Sequence, residues 1–145
     1  MTRINLFGKT NKEIAGEIKM FIGTKETVEN YEEVKHLLNP QFYGYYSAYD
    51  HVALCWLFGK MIDLPKGFPM YTIDLKQEMD NIVNSLLERE NKRQDFLNQK
   101  HYTFEEGLSL FKTRKNYPKQ TNEHNALADA KWNKELYEFL KDFAQ

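Results

Sequence analysis

Two stretches decide the fold: Phe42-Tyr43-Gly44-Tyr45-Tyr46, between Pro40 and Ser47, and Met70-Tyr71-Thr72-Ile73, followed by Asp74. Both are short, aromatic or β-branched runs bounded by turn residues, the pattern of a strand. Between them, Ala48 to Met61 is apolar on most of its surface and follows Ser47, a good N-cap, so it predicts a buried helix. Leu64-Pro65-Lys66-Gly67-Phe68-Pro69 is rich in turn formers and returns the chain to the second strand. The order strand, helix, strand predicts parallel neighbours joined by a right-handed crossover.

Outward from this unit the pattern is helical. Ile14, Ala15, Ile18 and Phe21 share one face of a helix from Asn11 to Phe21, capped by Thr10 or Asn11 and stopped near Gly23. Val28, Tyr31, Val34 and Leu38 predict a second, short helix before Asn39-Pro40. Met79, Ile82, Val83, Leu86 and Leu87 form the apolar side of a helix from Leu75 to about Arg93. Phe104 to Phe111 predicts one or two turns. The last helix runs from about Asn122 to Phe143, with a stripe of Leu127, Trp132, Leu136, Phe139, Leu140 and Phe143. Trp56, Phe58, Met79 and Leu86 are assigned to the core by their helical spacing.

Composition narrows the function classes. The chain has 145 residues, with 20 Lys+Arg against 21 Asp+Glu and a formal net charge of -1. That balance excludes a strongly basic nucleic-acid binder but leaves room for a local basic patch, such as Lys112 to Lys119. At 41% hydrophobic and 14% aromatic the chain can build a core, and its length predicts one domain over residues 1–145. One cysteine excludes an internal disulfide, and Cys55 reads as a small buried hydrophobe. The start carries no apolar signal segment, and the longest apolar run, Val52 to Phe58, is far short of a membrane span. A cytoplasmic protein without membrane partners is expected.

Two parallel strands flanked by several helices make a deficient sheet, because parallel strands are normally covered on both faces and have further partners. The expectation is an incomplete α/β domain whose first strands are missing from this chain.

The segment Thr121-Asn122-Glu123-His124-Asn125-Ala126-Leu127-Ala128-Asp129-Ala130 carries the densest chemical signal. On one ideal helix His124 and Asp129 would be about 140° and 7.5 Å apart. With His124 in the preceding loop, both can reach a common point. Read alone, the pair is more readily a capping histidine and a surface aspartate. Asp50 adds a carboxylate just beyond the first strand's C-terminal end, the edge where open α/β sheets place their sites. A helix-dipole contact of about 0.3–1 kcal/mol would explain Asp50 by itself. Asp74 ends the second strand at the same edge and reads more readily as structural.

Taken together, Tyr43 to Asp50, Leu57-Phe58-Gly59, Asp63-Leu64-Pro65 and His124 to Ala130 resemble the DEDDh 3′-to-5′ exonucleases. Among these, the chain is most similar to the small stand-alone exoribonucleases of bacteria and phages. The resemblance covers about Phe42 to Phe143, and more loosely the chain from Arg3. It implies a ribonuclease-H-like fold and two Mg²⁺ or Mn²⁺ ions held by four acidic residues. It implies that Asp50 and Asp129 are metal ligands and His124 the general base for water, acting on the 3′ end of RNA, or of DNA. Hard cations and a near-neutral histidine suit phosphodiester hydrolysis.

The family also requires an Asp-x-Glu on its first strand, and this sequence has no aspartate before Asp50. Half of the carboxylate set and the strands that carry it are therefore expected elsewhere. The expected partners are a complementing N-terminal fragment or a second copy of the chain. The alternative is a nuclease relative that retains only nucleic-acid or protein binding, and a third reading makes the motif accidental.

Overall fold

The computed structural model describes residues 8–25, 27–36, 38–123 and 125–143. Its elements are helices α1 (Asn11–Ile22) and α2 (Tyr31–Val34), strand β1 (Tyr43–Gly44), helix α3 (Ala48–Phe58) with a 3-10 turn at Met61–Asp63, strand β2 (Ile73–Asp74), and helices α4 (Leu75–Phe96), α5 (Phe104–Lys112) and α6 (Ala126–Lys141). β1 and β2 form a two-stranded parallel sheet. The chain divides into two compact units, one of Met1–Phe42 with Ser47–Ile73 and one of Tyr43–Tyr46 with Asp74–Gln145.

In the first unit, α1 starts at a complete capping box. The Thr10 side chain accepts from Glu13 N–H at 3.3 Å, and the Glu13 carboxylate accepts from Thr10 N–H at 2.6 Å. Those bonds hold the Glu13 carboxyl below its ordinary range. α1 and the 3-10 turn both pack on α3. The ring of Phe68 meets Phe42 at 5.6 Å and Phe58 at 5.8 Å, each edge to face.

α3 departs from the reading of a buried helix that continues to Met61. It ends at Phe58 because Gly59 takes φ 115°, a region closed to side chains, and the chain then tightens into the 3-10 turn. Among the described residues it is covered on one face. Cys55 is buried, with His51, Leu54 and Phe58 half-buried beside it, while Tyr49, Val52, Ala53 and Trp56 are exposed. Trp56 is 71% exposed rather than part of the core.

The second unit holds the main core: Leu75, Met79 and Val83 of α4, Phe111 of α5, and Trp132, Leu136, Phe139 and Leu140 of α6. Each such side chain contributes roughly 1.5–3 kcal/mol by leaving water. Trp132 satisfies its buried indole N–H on Pro118 O at 3.2 Å. β1 joins this core through Tyr43, 4.4 Å ring to ring from Tyr137, and Tyr45, 5.0 Å from Trp132, follows at its end. Leu127, assigned to the α6 stripe, is 66% exposed, because the helix begins at Ala126 and its first turn lies clear of the core. Among the described residues no helix is long and apolar enough to cross a membrane.

Candidate functional site

Asp50 occupies the third position of α3 and is exposed. A carboxylate there meets the unpaired N–H groups and positive end of the helix. Ser47 stands at the N-cap as the sequence indicates, but its side chain makes no capping hydrogen bond to α3. The neighbouring His51 turns inward: its Nδ1 lies 3.0 Å from Thr72 Oγ1, and its buried Nε2 has no hydrogen-bond partner among the described residues.

Asp129 lies in the first turn of α6 and is half-buried. α6 starts at Ala126 rather than Asn122 because Asn125 caps it, its side chain accepting from Ala128 N–H at 3.0 Å. Asn122 takes the left-handed conformation, φ 58°, that breaks the helix before that point. Asp129 Oδ1 accepts from Gln120 Nε2 at 3.1 Å, which ties the carboxylate to the basic loop ahead of it. His124 lies outside the described residues. Asp50 and Asp129 belong to different compact units, and each is placed within its own.

Asp74 has the structural role that the sequence favoured. It is the N-cap of α4, accepting from Lys76 N–H at 2.8 Å and Gln77 N–H at 3.4 Å. The titratable groups around it went unread in the sequence. Lys76 pairs with Asp80, whose second oxygen is buried without a partner among the described residues. The Lys76 ammonium also stands 6.0 Å from the Tyr46 ring centre. Burial, helped by Tyr46, Tyr117, Asp80 and Asp74, pushes the Tyr45 hydroxyl up to about 12. The signal available in the sequence was the i, i+4 pair Lys76/Asp80 directly after a strand.

Among the described residues no three His, Cys, Asp or Glu side chains are grouped to hold a metal ion. No protein-family model, curated protein or solved structure matches the chain.

Proposed function

We propose that the chain is the C-terminal part of a metal-dependent 3′-5′ exoribonuclease domain of ribonuclease-H-like type, inactive alone and completed by a polypeptide that supplies an Asp-x-Glu strand. The observation that carries this reading is the shared placement of two carboxylates: Asp50 and Asp129 each sit in the first turn of a helix, α3 following β1 and α6 following the capped loop. Helix N-termini favour phosphate as well as carboxylate, so both positions suit a phosphodiester substrate. His124, one residue before the α6 cap, is the proposed base, and Asp50 and Asp129 the proposed Mg²⁺ or Mn²⁺ ligands. The setting proposed is the cytoplasm.

The residues present do not make up a two-ion set. Two carboxylates stand where four are needed, and one oxygen of Asp129 already accepts from Gln120. The missing ligands are assigned to a complementing fragment, or to a second copy if the domain is a homodimer.

One observation favours the second reading, a non-catalytic module that binds nucleic acid or protein. Tyr49 is 86% and Trp56 71% exposed on one face of α3, and exposed rings provide stacking surfaces for bases or a partner.

The test is incubation of the purified chain with Mn²⁺ and 3′-labelled single-stranded RNA. The expected result is an RNA complex without shortening of the label. Robust shortening abolished by Asp129→Asn would overturn the incomplete site, and no complex at all would overturn the nucleic-acid reading.

A further inference from the structure

The α4–α5 hairpin encloses a hollow that the functional reading does not use. Asn91 and Tyr102 fix the hairpin's loop reciprocally: Tyr102 N–H donates to Asn91 Oδ1 at 2.9 Å, and Asn91 Nδ2 donates to Tyr102 O at 3.1 Å. Where the helices cross, α5 carries Gly107. A Cβ there would lie 2.6 Å from a Leu87 methyl, so any larger residue would force the Leu87 side chain to shift. The groove beside the crossing has a volume of about 510 Å³, within the usual range of small-molecule sites.

Its lining divides by chemistry. Val83, Leu86, Leu87 and Leu110 give an aliphatic floor, and Leu110 is 56% exposed. Three guanidinium groups, Arg89, Arg93 and Arg114, share the lining with one carboxylate, Glu90. Glu90 is already engaged: Arg93 donates to it at 2.6 Å and Gln94 at 2.8 Å. Arg114 is held over the Phe111 and Phe143 rings at 5.5 and 5.3 Å. Arg89 has no ion-pair partner among the described residues. The groove therefore joins an apolar floor to a net positive rim in which Arg89 and Arg114 have no carboxylate partner among the described residues.

The geometry points to a binding site for a small amphipathic anion, a carboxylate or phosphate head on an aliphatic chain. An unpaired guanidinium of the rim, Arg89 or Arg114, takes the head, and the leucines cover the chain. Eleven residues line the groove, which is ligand scale, since a standard protein interface takes about 20–30 residues a side. A stacked base is a poorer match, because the Phe111 ring is buried and already set against Tyr117, Phe139 and Phe143. The inference rests on α4, α5 and Arg114 just beyond it, and stands independently of the nuclease reading.

The test titrates the full chain with decanoate, decyl phosphate and uncharged decanol below their aggregation limits, following Leu86, Leu87 and Leu110 methyl signals by NMR. Saturable one-site binding of decanoate or decyl phosphate, at least about ten-fold tighter than decanol, is expected. An Arg89→Gln/Arg114→Gln variant, with its fold checked by circular dichroism, should bind the anions no better than decanol. Both substitutions are at the surface, and Leu110→Gln, also exposed, should weaken all three ligands. Equal affinity for decanoate and decanol, unchanged binding by the double variant, or no saturable shift of these methyls would overturn the proposal.

Discussion

The Asp74 carboxylate accepts the backbone N–H of Tyr46 at 3.3 Å while the same oxygen caps α4. Tyr46 has φ 55°, a left-handed conformation unusual for a bulky residue. One side chain thus holds both the turn after β1 and the first turn of α4. Asp74→Ala should cost about 1–2 kcal/mol, the upper range for a lost cap, whereas Asp74→Asn keeps an acceptor and most of the stability. Urea unfolding of the two variants against the parent chain measures the difference.

The α6 stripe is two populations, not one. Leu136 is fully buried and Leu127 is 66% exposed. Leu136→Ala should destabilise by roughly 2–5 kcal/mol through lost contacts and a cavity. Leu127→Ala should change stability by no more than about 0.5 kcal/mol, as surface changes do. Denaturant midpoints of both variants measure the difference.

The two tryptophans report on the two units separately. Trp132 is 7% exposed and Trp56 71%. Trp132→Phe should leave red-shifted emission that acrylamide quenches readily. Trp56→Phe should leave blue-shifted, protected emission. Protection of Trp56 on mixing with a candidate partner would identify α3 as that partner's contact.

Alkaline stability follows from Tyr45. Its folded pKa, pushed to about 12 by burial first, lies above the ordinary value of 10. The native state keeps this proton after the unfolded chain has lost it, so the stabilisation is fully present below pH 10 and is lost as pH rises toward 12. Burial of Tyr117 acts in the same direction. Urea midpoints taken across that window should fall less steeply for Tyr45→Phe.

Much of the element order is legible because its signals are local. Thr10 with Glu13 starts α1, and Asp74 followed by the periodic Met79, Ile82, Val83 and Leu86 gives α4. The aromatic run from Phe42 to Tyr46 reads as five strand residues but yields two, since the chain turns at Tyr45 and Tyr46 is left-handed. No strand propensity encodes that turn. The extent of α3's burial is illegible for another reason. A helix apolar on both faces has no pattern to say which face is covered, and that depends on where α1 and the 3-10 turn pack. The first-turn position of Asp50 was legible, whereas that of Asp129 was not, because the last helix reads from Asn122 and starts at Ala126; the Gln120 bond to Asp129 and the Gly107 crossing depend on contacts made only in the folded chain.

The central proposal is that Asp50 and Asp129 are each a ligand of Mg²⁺ or Mn²⁺. Paramagnetic Mn²⁺ titrated into isotope-labelled chain, read as broadening of backbone amide signals, tests it most directly. The account predicts weak binding that broadens the first turn of α3 and the first turn of α6, and that Asp129→Asn removes from α6. Broadening confined to one of the two turns, or to neither, would contradict it.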